Sequence, residues 1–179
     1  AEGWEVTTVL ADGRGQVNPA SVARAIRPDT VLVSVMHANN EIGTILPVRA
    51  IAELAHARGV LVHTDAAQSV GKIPVRIPDL HVDLLSIAGH KLYAPKGVGA
   101  LYVKAGTPIT NITFGAGQER GLRPGTENTP YIVALGAACR LAMRELKDNQ
   151  ARFMMLRDRL QAKLLGGLPA GAAHINGDQ

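Results

Sequence analysis

Residues 31–64 read VLVSVMHANNEIGTILPVRAIAELAHARGVLVHT, and their order decides the fold. Val31 to Ala38 is a short apolar run rich in β-branched residues, and Val60 to Thr64 repeats that character, as buried strands do. Between them, Pro47 to Arg58 carries Val48, Ile51, Leu54 and Ala55 at helical spacing. Pro47 suits the first turn of that helix and Gly59 its exit. The unit is strand, helix, strand. Near-continuous apolar strands joined this way predict a largely parallel sheet covered by helices on both faces, an α/β fold.

Working outward, Asp83 to Ala88 repeats the strand character and Val98 to Val103 adds a further candidate strand. Upstream, Pro19 to Ile26 reads as a helix, capped by Asn18 and ended by Pro28. Residues 115–125 are glycine-rich and polar and read as a loop. From Pro130 the pattern turns helical, with Thr129 as its cap and Ile132, Leu135, Cys139, Ala142 and Leu146 in one apolar stripe. A second helix is expected over about 150–165, with Phe153, Leu156, Leu160 and Leu164 on one face. Residues 1–128 are thus expected to hold the sheet, and 129–179 to form helices leading away from it towards a smaller domain.

The chain has 179 residues, 46% hydrophobic and 19% charged, which gives room for a sizeable core. No apolar run approaches the roughly 20 residues that span a bilayer, and no basic start precedes an apolar run as in a secretory signal. A cytoplasmic protein without a membrane partner is the expectation. The net charge of +4 is carried by dispersed basic residues, and only 3% of the chain is aromatic, which argues against nucleic acid as the partner. Cys139 is the sole cysteine, so no internal disulfide can form. It lies on the apolar stripe and is expected to face the core as a packing residue. The chain starts at Ala1 and ends at Gln179 in a Gly and Ala rich stretch, so a piece of a longer protein, inactive by itself, is expected.

In open parallel sheets, ligands sit beyond the carboxyl ends of the strands. The first strand here runs into His37-Ala38-Asn39-Asn40-Glu41-Ile42-Gly43, the second into His63-Thr64-Asp65-Ala66-Ala67-Gln68, and the third into Ala88-Gly89-His90-Lys91. Singly, each has a bland reading: Asp65 as a helix cap, His63 as a satisfied core histidine, Lys91 as a solvated loop lysine. Together, a carboxylate, amides, imidazoles and an amine converge where the fold places a ligand. A lysine forms a Schiff base with an aldehyde, and an acidic partner keeps a pyridine nitrogen protonated. The residue types suit pyridoxal phosphate, and no metal is expected.

The stretch from Met36 to Thr126 resembles the cysteine desulfurase and selenocysteine lyase branch of the class V aminotransferases. The resemblance rests on Ala38 to Gly43, on His63 to Lys72, on Gly89-His90-Lys91 and on Arg123-Pro124-Gly125-Thr126-Glu127-Asn128, in order and register. It implies the central part of the large domain of a pyridoxal-phosphate enzyme in which Lys91 carries the cofactor and moves protons. Asp65 would pair with the ring nitrogen. Gln68 and Asn40 would bond around the phenolic oxygen and the substrate, and His90 would help hold the phosphate. Thr126 would reach the phosphate of a neighbouring subunit's cofactor in a homodimer. His63, two residues before Asp65 on the same strand face, would orient the carboxylate.

The implied reaction removes sulfur from L-cysteine, or selenium from L-selenocysteine, leaving alanine, with a cysteine outside this chain accepting the sulfur and a sulfur-acceptor protein as a further partner. Ala88 stands where many desulfurases have a serine, which removes one phosphate contact and leans towards the selenocysteine lyase branch. Ala94 stands where glycine is common. An aminotransferase or another β-eliminating lyase would use the same cofactor residues, and a noncatalytic scaffold would keep only the fold.

Overall fold

The structure is a computed structural model and describes residues 3–169 and 171–178. The elements run α1 (Pro19–Ala25), β1 (Leu32–Met36), α2 (Val48–His56), β2 (Leu61–Asp65), α3 (Ile77–Leu80), β3 (Leu84–Ala88), β4 (Gly99–Val103) and α4 (Thr129–Gly167), with short 3₁₀ turns at Gly89–Leu92 and Glu119–Gly121. The strands form one sheet in the order β1-β2-β3-β4. β1, β2 and β3 are mutually parallel, while β4 returns antiparallel to β3.

Local chemistry explains most boundaries. Asn18 caps α1 by accepting from the Ala20 amide at 2.8 Å. Pro47 is the residue just outside α2, one position earlier than the sequence suggests. Gly59 leaves the helix with a positive φ of 71°, which glycine adopts without the Cβ penalty. α3 was not expected from the sequence; it is a single turn of helix in which Pro78 falls at the permitted first positions.

Alternation along the strands splits the sheet into two unlike faces. Val62 and Leu85 are buried and pack with Val48, Ala52 and Ala55 of α2, joined by Val33, Val35 and Ile87. Burying each large side chain there stabilises the fold by about 1.5–3 kcal/mol. The other face carries Leu32, Ser34 and Met36, then His63 and Asp65, then Leu84 and Ser86 in register. It is far more open: Leu32 is 43% and Leu101 is 50% exposed. Within this chain, α2 covers one face of the sheet and the polar face is left accessible, where cover on both sides was expected.

The C-terminal region departs from expectation in two ways. Asn128, not Thr129, is the cap, its side chain accepting from the Tyr131 amide at 3.3 Å. One continuous helix of 39 residues replaces the two expected. The intervening Lys147-Asp148-Asn149 contains no Gly or Pro to break it. Its first half packs on the turn after β3: Ala138 joins Leu92 and Ala94 in a small cluster, flanked by Leu135, Cys139, Ala142 and Val98. Cys139 is therefore half-buried and packed, on the face the sequence assigns. Beyond it Phe153, Leu156, Leu160 and Leu164 are all exposed. Among the described residues, no helix is long and apolar enough to cross a membrane.

Candidate cofactor site

Parallel pairing puts the carboxyl ends of β1, β2 and β3 on one edge of the sheet, and backbone bonds extend the ladder past them. The His37 amide donates to the Asp65 carbonyl at 2.8 Å, and the Ala66 amide to the Ser86 carbonyl at 3.0 Å. The loop after β1 is shaped by Asn39, whose side-chain oxygen accepts from the amides of Glu41 and Ile42 at 2.9 and 3.0 Å. Gly43 closes it with a φ of 75°, and the Asn39 amide donates to the Thr44 carbonyl. Asn40 projects from this loop exposed. Beneath it His37 is buried, its Nδ1 3.0 Å from Ser69 Oγ. Burial holds its pKa below the ordinary histidine value.

Asp65 ends β2 with an exposed side chain. Its Oδ1 accepts from the Ala67 amide at 2.8 Å, so the bland reading of Asp65 as a local cap holds for one oxygen. Among the described residues, its Oδ2 has no hydrogen-bond partner. Gln68 is half-buried in the turn that follows, with its amide likewise unengaged.

His90 and Lys91 lie in the Gly89–Leu92 turn directly after β3. Gly89 is buried against the Val98 carbonyl, which a Cβ at Gly89 would meet at 2.6 Å. The turn ends at Tyr93 in the left-handed region with a φ of 64°. Both His90 and Lys91 are exposed. Lys72 comes up beside them, its Nζ 3.4 Å from the Lys91 carbonyl. Burial, reinforced by the nearby Lys91 charge, lowers the Lys72 pKa. A cleft of about 380 Å³ adjoins this turn, lined by Lys72, Lys91, Leu92, Tyr93, Ala138 and Phe153 among others. A larger groove of about 770 Å³ between residues 3–9 and β1 contains none of the predicted site residues.

His63 sits mid-strand on the open face, two residues before Asp65, but it is not bonded to Asp65. Ser34 Oγ lies 2.8 Å from its Nδ1 and Ser86 Oγ 2.7 Å from its Nε2. Burial lowers the His63 pKa, and the negative charge of Asp65 partly offsets this. Sequence reasoning missed Ser34 and Ser86, because a serine inside an apolar run carries no signal until the strand register is known. Thr126 stands apart. It is exposed in the loop before α4, where the Gly125 amide donates to Gln118 Oε1 at 3.1 Å, and no hydrogen bond links it to the strand-end residues.

The strand ends thus gather an exposed amine, an open carboxylate oxygen, two unengaged side-chain amides and an imidazole. That donor set fits an aldehyde-bearing, ring-nitrogen cofactor with an anionic tail, since each functional group has a partner of the right kind. It offers little to a hard cation, which needs several oxygen ligands.

The chain is 45% identical over 176 residues to the cysteine desulfurase IscS of Methanosarcina thermophila, covering 98% of this chain and 43% of that protein. Among solved structures, a NifS-like protein superposes with a TM-score of 0.88 at 41% identity, over 92% of this chain and 46% of the other. A structure of SspA in complex with cysteine superposes with a TM-score of 0.74 at 43% identity, over 77% of this chain and 40% of the other. The chain spans less than half the length of each of these proteins. Residues 1–169 match the family described as aminotransferase class-V, whose cysteine desulfurase members depend on pyridoxal phosphate, and the chain belongs to that family.

Proposed function

We propose that this chain forms the cofactor-holding part of a pyridoxal-phosphate cysteine desulfurase. The observation that carries the proposal is the position of Lys91, Asp65, Gln68 and Asn40 just at or after adjacent parallel strand ends, with the Lys91 amine, one Asp65 oxygen and both side-chain amides unengaged among the described residues. Family membership and the cysteine bound by SspA support it.

In this reading Lys91 holds the cofactor covalently through Nζ and, once released, carries a proton to and from the substrate's α-carbon. Asp65 keeps the ring nitrogen protonated through its open Oδ2, while Oδ1 stays tied to the Ala67 amide and fixes the carboxylate plane. Gln68 and Asn40 orient the ring oxygen and the substrate, and His90 contributes to holding the phosphate. When bound, the cofactor supplies an electron sink that weakens the bond from carbon to sulfur. Lys72, crowded by burial and by Lys91, adds positive potential near the phosphate end.

Thr126, remote from the strand-end hydrogen bonds, serves the cofactor of a second subunit in a homodimer. Residues 1–128 belong to the cofactor domain, and α4 leads from it into a second domain. A cysteine outside this chain takes the sulfur and passes it to an acceptor protein.

Borohydride reduction of the full-length, cofactor-loaded protein followed by peptide mapping tests the assignment. The label is expected on Lys91, and Lys91→Ala is expected to lose both the label and the visible band. A label on Lys72 or Lys96 would refute the proposal.

A further inference from the structure

A histidine flanked by serines on both neighbouring strands is an unusual use of a sheet face beside a ligand edge. We propose that Ser34 and Ser86 are positioning residues that lock the His63 ring in one plane and one tautomer, so that Asp65 keeps its outer oxygen for the cofactor's ring nitrogen. The inference rests on the cofactor reading above and adds two residues to it.

The geometry is specific. Ser34 is the register partner of His63 across β1 and β2, and Ser86 is the register partner of Asp65 across β2 and β3. Their hydroxyls approach opposite ring nitrogens at 2.8 and 2.7 Å. In the neutral ring, one nitrogen donates to its serine oxygen and the other accepts from the second serine's O–H. Both nitrogens are then occupied and neither can turn to Asp65, although both residues lie on the same face of β2. Around His63, β1 presents Ser34 and Met36 and β3 presents Leu84 and Ser86, none of them charged. Asp65 on its own strand is the charged group acting on it.

Removing either hydroxyl strips one ring nitrogen of its partner in a half-buried place. The freed nitrogen can then turn to Asp65, and pairing with that carboxylate favours the protonated ring. That pairing competes with the cofactor's ring nitrogen, and it does so only at pH values below the altered His63 pKa. An interaction of this kind at a partly exposed position is worth up to about fivefold in affinity.

The test uses the full-length protein with ¹⁵N-labelled histidine. In the cofactor-free form, His63 is expected to show one tautomer and to titrate below the ordinary value of about 6.5. Ser34→Ala and Ser86→Ala are each expected to raise that pKa and let the tautomers exchange, and Ser34→Thr and Ser86→Thr, which keep the hydroxyl, to restore the wild-type spectrum. With pyridoxal phosphate added, the alanine variants should bind up to about fivefold more weakly than wild type at pH 6 and equally at pH 8. Tautomer averaging in the wild-type protein overturns the inference without any variant. So does an unchanged His63 titration in the alanine variants, or a loss of affinity equal at both pH values. A wild-type protein that never acquires the visible band would instead sink the cofactor reading, and this inference with it.

Discussion

Asp83 holds the amino edge of the sheet together, and replacing it should be damaging although it lies outside the cofactor site. It is 5% exposed. Its Oδ2 accepts from His56 Nε2 at 2.7 Å and from the buried Val62 amide at 2.9 Å, and its Oδ1 lies 3.4 Å from Lys104 Nζ. The His56 and Lys104 side chains are 33% and 54% exposed, so water replaces much of what they lose and their share is discounted. The Val62 amide has no such recourse, and an unsatisfied buried N–H costs about 1–3 kcal/mol. With the remaining part of the bonds from His56 and Lys104, Asp83→Ala should destabilise by about 2–4 kcal/mol. Asp83→Asn retains an acceptor for Val62 and should cost about half as much.

Burial pushes the Asp83 carboxyl pKa up, but the bonds from His56, Val62 and Lys104 outweigh it and the net shift is downward. A depressed folded value means the contribution is fully present above the unfolded carboxyl value of about 3.9 and is lost as pH falls through the folded one. Urea unfolding of full-length wild type and variants from pH 7 down to pH 3 measures this. The difference between wild type and Asp83→Ala should be full at neutral pH and shrink below about pH 4. A midpoint difference worth less than about 0.5 kcal/mol at pH 7, the scatter of an ordinary surface substitution, would refute the reasoning.

Other outcomes follow from the site. Asp65→Ala should reduce turnover by on the order of a hundredfold or more while part of the visible band survives, because Lys91 remains; unchanged turnover would make Asp65 structural. Gly89→Ala drives a methyl to 2.6 Å from the Val98 carbonyl, so a loss of about 1–3 kcal/mol and a shifted cofactor band are expected, and a wild-type absorption spectrum would count against the placement of that turn. Cys139→Ala should cost about 1 kcal/mol for a small truncation in a half-buried cluster and leave sulfide release intact; loss of persulfide formation in a folded, cofactor-loaded variant would make Cys139 the nucleophile.

Hydrophobic pattern alone located β1, β2, β3 and α2, because a buried parallel strand has little freedom in composition. The direction of β4 is legible too: a parallel return needs a crossover of a dozen or more residues, usually helical. Residues 89–98 supply instead a tight turn, with Tyr93 and Gly97 at positive φ. The continuity of α4 was obscured because apolar periodicity lapses over Lys147-Asp148-Asn149-Gln150 and resumes only at Phe153. Strand-end position and residue type flagged Lys91, Asp65, Gln68 and Asn40. The role expected of His63 could not be settled the same way, since its partners are 29 and 23 residues distant in the chain and meet it only through register.

That register is itself over-determined, and the chemistry proposed for the edge depends on it. A slip of one residue in β2 would turn Asp65 from the open face to the α2 face, and one in β3 would do the same to Ser86. Asp83 opposes such a slip at the amino edge, where its backbone also bonds the Val62 carbonyl on one side and the Lys104 amide on the other. Ser34, His63 and Ser86 oppose it mid-sheet by tying three strands across the open face. The Ala66 amide on the Ser86 carbonyl opposes it at the carboxyl edge. Each device is polar and each would be left unpaired by the shift, so the penalties add where hydrophobic packing alone would tolerate rearrangement. Placement of reacting groups to within about 0.5 Å requires this kind of support beneath them. The strand-end edge can therefore present an exposed side chain such as Lys91 from a backbone whose register is held beneath it.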